Sequence, residues 1–263
     1  MPLLEVVGLF AVAVLSGAVN SISGGGSLLT FPALIWIGRD PIVANATNTV
    51  TLWPGSLAAA TALRRDVWAA RRWLVLFFPV CVIGAVVGAL LLLRTPSAIF
   101  GRLVPYLILF ATGLFALQTP LTRAFPARRS DGASDDGLAP TLSGGRTAAM
   151  VAFQLAVAVY GGYFGAGIGI LTLAALGLLG FTDIHQMIGI RNVNAVWING
   201  VAGLCFATAG VVRWHDAAVL TVGQILGGYT GARLIRVLSP EVVRRAVVAI
   251  GIAMAAALFL TMA

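Results

Sequence analysis

The residues of this chain best suited to chemistry are neutral hydrogen-bond donors set among glycines. One group reads N-S-I-S-G-G-G-S-L-L-T-F-P over residues 20–32. It places Asn20, Ser23, Gly24, Gly25, Gly26, Ser27 and Thr30 inside a run without charge from Val6 to Gly38. Asn45, Thr47 and Asn48 follow shortly after. The second half of the chain carries Tyr163, Gly165, Gly167, Gly169 and Thr172, then Arg191, Asn192 and Asn194. Glycine is poor in a helix interior, and an unpaired polar group is costly in an apolar medium. Together they suit a different task. Glycines let a ligand touch the backbone, helix starts offer free N–H groups, and hydroxyls and amides add donors. The chemistry is that of a neutral, donor-rich cradle for an anion. The competing reading is that Gly and Ser permit close helix packing in a membrane. Arg191 is open in the same way: an arginine inside an apolar run is a candidate ligand for an anion, unless it snorkels to the near interface.

The groups that are missing narrow the chemistry further. The nine carboxylates, Glu5, Asp40, Asp66, Asp131, Asp135, Asp136, Asp183, Asp216 and Glu241, all fall in gaps, in the linker or at segment ends. No apolar run has a central Asp or Glu for a cation site or a carboxylate proton relay. His185 and His215 lie near segment ends and read as interfacial. Cys81 and Cys205 sit far apart in apolar runs, without metal or redox spacing, and read as buried structural residues. Neither a serine–histidine pair inside the apolar runs nor a paired-histidine zinc motif is present, which argues against a membrane-embedded protease. No cofactor and no metal are expected. Trp53 and Trp197, each five residues after an asparagine, either wall a pathway or pack helices.

The elements that must position these residues are membrane helices. The chain is 59% hydrophobic and only 10% charged, where a soluble domain carries about a quarter charged residues. The net charge of +8 comes from 17 arginines that lie mostly between apolar runs, so it reads as orientation charge and not as a nucleic-acid surface. The N-terminal M-P-L-L-E lacks a basic flank and reads as a retained segment. Residues 122–146, with R-R-S-D-G-A-S-D-D-G, form a Gly/Ser/Asp/Pro-rich linker between two halves, 1–121 and 147–263.

The halves resemble each other. G-G-S-L-L-T-F-P at Gly25–Pro32 corresponds to G-I-G-I-L-T-L-A at Gly167–Ala174, and N-T-V-T-L-W at Asn48–Trp53 to N-V-N-A-V-W at Asn192–Trp197. Each half opens with an oversized apolar run, expected as a hairpin over 3–38 and again over 147–182. A straight helix of such a run would be about 50 Å long against a hydrocarbon core of about 30 Å, so each must turn at its glycines. Irregular backbone at that depth is tolerated where protein buries it or a cavity adjoins it. Three spans follow each hairpin, over 41–63, 73–93 and 100–118, then 187–211, 216–235 and 243–262. If each hairpin returns to its own side, the two halves are inverted and twelve of the arginines share one face against four on the other. The positive-inside rule then puts the linker in the cytoplasm and both termini outside. The fold class is an all-α polytopic membrane protein of two inverted repeats.

Interrupted helices in inverted repeats are a frequent transporter plan. The motifs G-G-G-S-L-L-T-F-P and A-N-A-T-N, with G-A-G-I-G-I-L-T-L-A and I-G-I-R-N in the second copy, resemble the TauE/SafE sulfite exporter family, also called the toluene-sulfonate uptake permease family. The resemblance covers nearly the whole chain. It implies an inner-membrane transporter of about eight spans for sulfite, sulfonates and related anions, commonly in the export direction. Two positions depart from the pattern: Ala174 stands where the first copy has Pro32, and Arg191 where it has Thr47. The expected partners are a small anion and the lipid bilayer, with a homodimer left open and no nucleic acid. A passive anion channel and an uptake permease for another small anion are the alternatives.

Overall fold

The structure, a computed structural model, describes residues 3–23, 25–124, 144–178, 181, 184–234 and 240–262. Gly24 and most of the central linker lie outside the described residues. So do the side chains of Ser23 and His185. Among the described residues every regular element is an α-helix.

The glycine clusters end helices. The first oversized run divides into α1 (Leu3–Ser23) and α2 (Ser27–Trp36), and the second into α7 (Gly144–Tyr163) and α8 (Ile168–Leu178). Between them lie α3 (Pro41–Ala62), α4 (Arg64–Ala69), α5 (Arg71–Arg94) and α6 (Ser97–Ala124). The chain closes with α9 (Ile184–Thr208), α10 (Trp214–Leu234) and α11 (Pro240–Met262). The six-residue α4 lies in what the sequence reads as a gap between spans. At 1.5 Å per residue α2 and α8 are about 15 Å long, half of a hydrocarbon core.

Both the start of α1 and the end of α2 lie at one face of the molecule. Arg39, just past α2, reaches Glu5 in the first turn of α1 at 3.4 Å and Asp216 in the first turn of α10 at 2.7 Å. Asp216 is fully buried there, and Arg213 adds a longer pair at 3.6 Å. The α1–α2 hairpin therefore returns to the side on which it began.

The longest seams join helices from the two halves of the chain: α1 packs along α10, and α5 along α7. Both seams rest on glycine. A Cβ on Gly17 would strike the Gln224 carbonyl, and one on Gly227 the Val14 carbonyl. On the other seam Gly88 meets the Val159 carbonyl and Gly162 the Ala85 carbonyl in the same way. Small residues bring helix backbones together where lipid supplies no hydrophobic drive. In the middle α3 packs on α9, and α6 packs on α11.

Among the described residues three helices carry segments long and apolar enough, by length and hydropathy, to cross a membrane: Leu3–Asn20, Arg71–Arg94 and Ser97–Leu117. Of the helices expected as ordinary spans, α10 and α11 are not among them, α11 with a shorter apolar segment over Val247–Leu260, and neither are the polar helices α3 and α9. For α3 and α9 the reason is visible in the packing. Asn45, Thr47, Asn48, Thr49 and Thr51 of α3, and Asn192, Asn194 and Asn199 of α9, are all buried. These helices need little apolar surface because other helices cover them. The exposed apolar side chains, such as Val75, Ile83, Phe110 and Leu204, lie on outer faces. The chain is a multi-pass, all-helical membrane protein.

Candidate functional site

At the first break the glycines are occupied by protein. Gly25 lies against the ring of Phe115 on α6, so close that a Cβ could not be added. Gly26 lies against α1, where a Cβ would stand 2.7 Å from Ser16 Oγ and 3.0 Å from Cβ of the half-buried Asn20. The Ser16 hydroxyl donates to the Gly26 carbonyl at 2.9 Å. The N–H groups of Leu28 and Leu29 close the first turn onto the carbonyls of Gly25 and Gly26, with Ser27 buried at its start. Thr30 donates to Asn48 Oδ1 at 2.5 Å, tying α2 to α3. Thr47 faces elsewhere: its Oγ1 accepts from the Arg213 N–H at 3.1 Å and holds the α9–α10 turn. Thr47 is thus not brought to either break.

The second break is built differently. Gly165 and Gly167 have φ of +83° and +84°, a region that side chains with Cβ rarely adopt, so this chain reversal needs both glycines. The Tyr160 hydroxyl donates to the Ala166 carbonyl at 2.7 Å and pins the loop. Gly167 rests on α6 at Ala111 and Leu114, one turn from the Phe115 that covers Gly25. Both breaks therefore reach the same stretch of α6. Tyr163 is only half-buried. Its ring packs edge-on against Phe100, and it borders an apolar groove of about 570 Å³ between α5 and α7. Its backbone carbonyl accepts from Asn45 Nδ2 at 3.0 Å, tying α3 to the end of α7.

Arg191 lies over the start of α8. A Cβ on Gly169, the second residue of α8, would lie 2.8 Å from Arg191 Nε and 3.3 Å from its Cζ. The arginine therefore turns toward the hairpin and not toward the near interface. It has no ion-pair or hydrogen-bond partner among the described residues. One turn along the same face of α9, Asn194 is buried at 1% exposure, and neither Oδ1 nor Nδ2 has a partner. Asn199 Oδ1 is also buried and unpartnered, 4.0 Å from where a Cβ on Gly165 would stand. Asn45 Oδ1 is free as well, and away from these asparagines so is Thr112 Oγ1 on α6, which lies against Gly251. Native structures leave very few buried polar atoms unbonded, so four on three asparagines around one helix break mark a place made for something polar. Asn192 is buried as well, but Thr172 bonds back to the Ile168 carbonyl and does not reach it.

Of the remaining positions, Trp53 packs its indole nitrogen over Gly200, and Trp197 packs on Phe78, so both serve helix packing. Cys81 accepts from Gln154 at 3.4 Å, and Cys205 is half-buried. Among the described residues no three His, Cys, Asp or Glu side chains gather as metal ligands. Sequence reasoning missed Asn199, Phe115 and the Arg39–Asp216 pair. Asn199 could have been found by period: it lies seven residues after Asn192, two helical turns along α9.

The family model described as "Sulfite exporter TauE/SafE" matches residues 9–258. A Haemophilus influenzae protein named "Probable membrane transporter protein" is 30% identical over 256 residues, covering 94% of this chain and 92% of its own length. The Escherichia coli K12 protein named "Probable membrane transporter protein YfcA" is 31% identical over 252 residues, covering 95% and 88%. A Sinorhizobium protein named "Probable membrane transporter protein ORF9" is 25% identical over 254 residues, covering 94% and 89%. No solved structure matches the chain. With a matched region that runs through both glycine breaks and the helices that carry Arg191 and the asparagines, the chain belongs to the TauE/SafE family of membrane transporters.

Proposed function

We propose that the protein exports a small sulfur-containing oxyanion, sulfite or an organosulfonate, from the cytoplasm across the inner membrane, and holds the anion at the second break near mid-membrane. The observation that carries this reading is the unpaired Arg191 guanidinium over the first turn of α8. A helix start offers free N–H groups and the positive end of the macrodipole. An arginine added there lacks its counter-charge until an anion arrives, and it can meet a planar or tetrahedral oxyanion with two parallel N–H donors. Asn192 and Asn194 extend the donor set. The absence of any carboxylate beside Arg191 among the described residues also favours a guest of negative sign. With the interior negative, export of each negative charge gains about 2.3 kcal/mol per 100 mV.

The two halves act as inverted repeats in this reading. Its support is the exchange of partners in the packing: α1 on α10 corresponds to α7 on α5, and α2 on α3 to α8 on α9. The arginine bias puts the linker in the cytoplasm and both termini outside. Movement of one sequence half against the other would have to part both glycine seams, α1 on α10 and α5 on α7. The moving bodies are instead the mixed pairs α1–α10 and α5–α7, working against the central helices α3 and α9.

Binding of sulfite, sulfate, thiosulfate and a sulfonate to purified protein tests the substrate class, and flux into vesicles tests transport. Saturable sulfite or sulfonate flux that Arg191→Gln shifts to much higher half-saturating concentration is the expected result. Linear flux would make the protein a channel, and binding of none of these anions would end the reading. A cysteine introduced into the linker should be labelled from the cytoplasmic side alone; labelling from outside would overturn the orientation.

A further inference from the structure

An anion alone does not use everything that the second break offers. We propose that the guest must bring a hydrogen-bond donor of its own: it is a small anion that also carries an O–H or N–H, such as a protonated oxyanion or a hydroxylated sulfonate. This inference rests on the reading of the second break as the anion site.

Three buried acceptors lead to it. Asn45 Oδ1 is an acceptor by assignment, because Nδ2 of the same amide is committed to the Tyr163 carbonyl at 3.0 Å. Asn199 is also unpartnered beside Gly165, and with no bond to fix its amide it offers an acceptor there in one of its two orientations. Asn194 lacks a partner on both atoms, so it presents one donor and one acceptor whichever way the amide is turned. A bare anion accepts hydrogen bonds and donates none. It would satisfy Arg191 and Asn194 Nδ2 and leave Asn194 Oδ1, the acceptor within a small guest's reach, unbonded, which costs about 1–3 kcal/mol. Asn194 is three residues from Arg191 on one face of α9, about 4.5 Å along the axis. That spacing suits a guest whose charged end meets the guanidinium while a donor a few ångströms away meets Asn194. Asn45 and Asn199 lie further toward the end of α7 and extend the row of acceptors beyond a small guest.

The test compares two sulfonates of equal charge and equal heavy-atom count, 2-hydroxyethanesulfonate and 1-propanesulfonate, by calorimetric binding to the purified full chain. A site that hydrogen-bonds a hydroxyl rejects an analogue without it far more strongly than an apolar pocket does. At least tenfold tighter binding of the hydroxylated compound is expected, and Asn194→Leu should bring the two within about twofold of each other. Equal binding by the native chain would overturn the inference while leaving the anion site standing, since the acceptors would then be served by ordered water. Discrimination undiminished in Asn194→Leu would overturn it too. Binding of neither compound, together with no binding of sulfite, would end both this inference and the reading beneath it.

Discussion

At the break between α1 and α2, Ser16, Thr30 and Asn48 are bonded to one another's helices, and Phe115 and Asn20 lie against the glycines. At the break between α7 and α8, Arg191, Asn194 and Asn199 have no such partners, although the surrounding helices are paired in the same way. The two breaks share a similar glycine-rich sequence pattern and differ in a few side chains. Thr47 of the first copy turns away to hold the Arg213 N–H, while its counterpart Arg191 turns inward over Gly169. The lesson is that a repeated backbone need not carry a repeated site. One copy can be closed by its own hydrogen bonds and serve as a fixed frame, which frees the other to hold a guest.

Substitutions at matched positions test that asymmetry. The largest effect is expected at Arg191. Arg191→Gln removes charged hydrogen bonds worth about 1.5–3 kcal/mol, so sulfite affinity should fall roughly tenfold to a hundredfold. Thr47→Ala should change it less than about threefold, and equal losses in a titration of both variants would erase the distinction. The glycines come next. Gly25→Ala should destabilise the protein by about 1–3 kcal/mol through overpacking against Phe115. Adding Phe115→Leu should restore much of the thermal unfolding temperature. A failure of that rescue would mean that Gly25 is needed for something other than space. Gly169→Ala displaces only the flexible Arg191 side chain, so it should keep the fold and alter anion affinity. The smallest effect is a difference in sign. Asn194→Leu removes an unbonded buried amide and should leave unfolding unchanged or raise it by about 1 kcal/mol. Asn48→Leu breaks the bond from Thr30 and should lower it by about 1 kcal/mol. Destabilisation of similar size by both would show that Asn194 already has a satisfied partner.

Much of this was legible in the sequence because membrane helices are written in long runs. The lengths 33 and 36 of the two charge-free runs force a reversal, and the glycines say where. Asn45, Asn48, Asn192 and Asn194 stood out because amides are costly in an apolar setting, whereas Asn199 on the same α9 did not. What could not be read was which way each side chain turns. Gly25 and Gly169 are equally bare in the sequence, yet one is bare for a phenylalanine 90 residues away and the other for an arginine 22 residues on. Phe115 carried no mark among the apolar residues of its run. The α1–α10 and α5–α7 seams were also hidden. Their glycines, spread through four helices, form a surface only once α7 has followed α6 and, for α1, once nearly the whole chain has been made.

The α1–α10 seam has a consequence for how the protein is made. Gly17 and Gln224 lie against each other in the finished molecule, yet about 200 residues of synthesis separate them. At about 5–20 residues per second, α1 waits roughly 10–40 s in the bilayer before its partner leaves the ribosome. Throughout that interval its small-residue face is available to lipids or to any other helix that passes, so assembly of this transporter depends on keeping the first helix unclaimed until the tenth arrives.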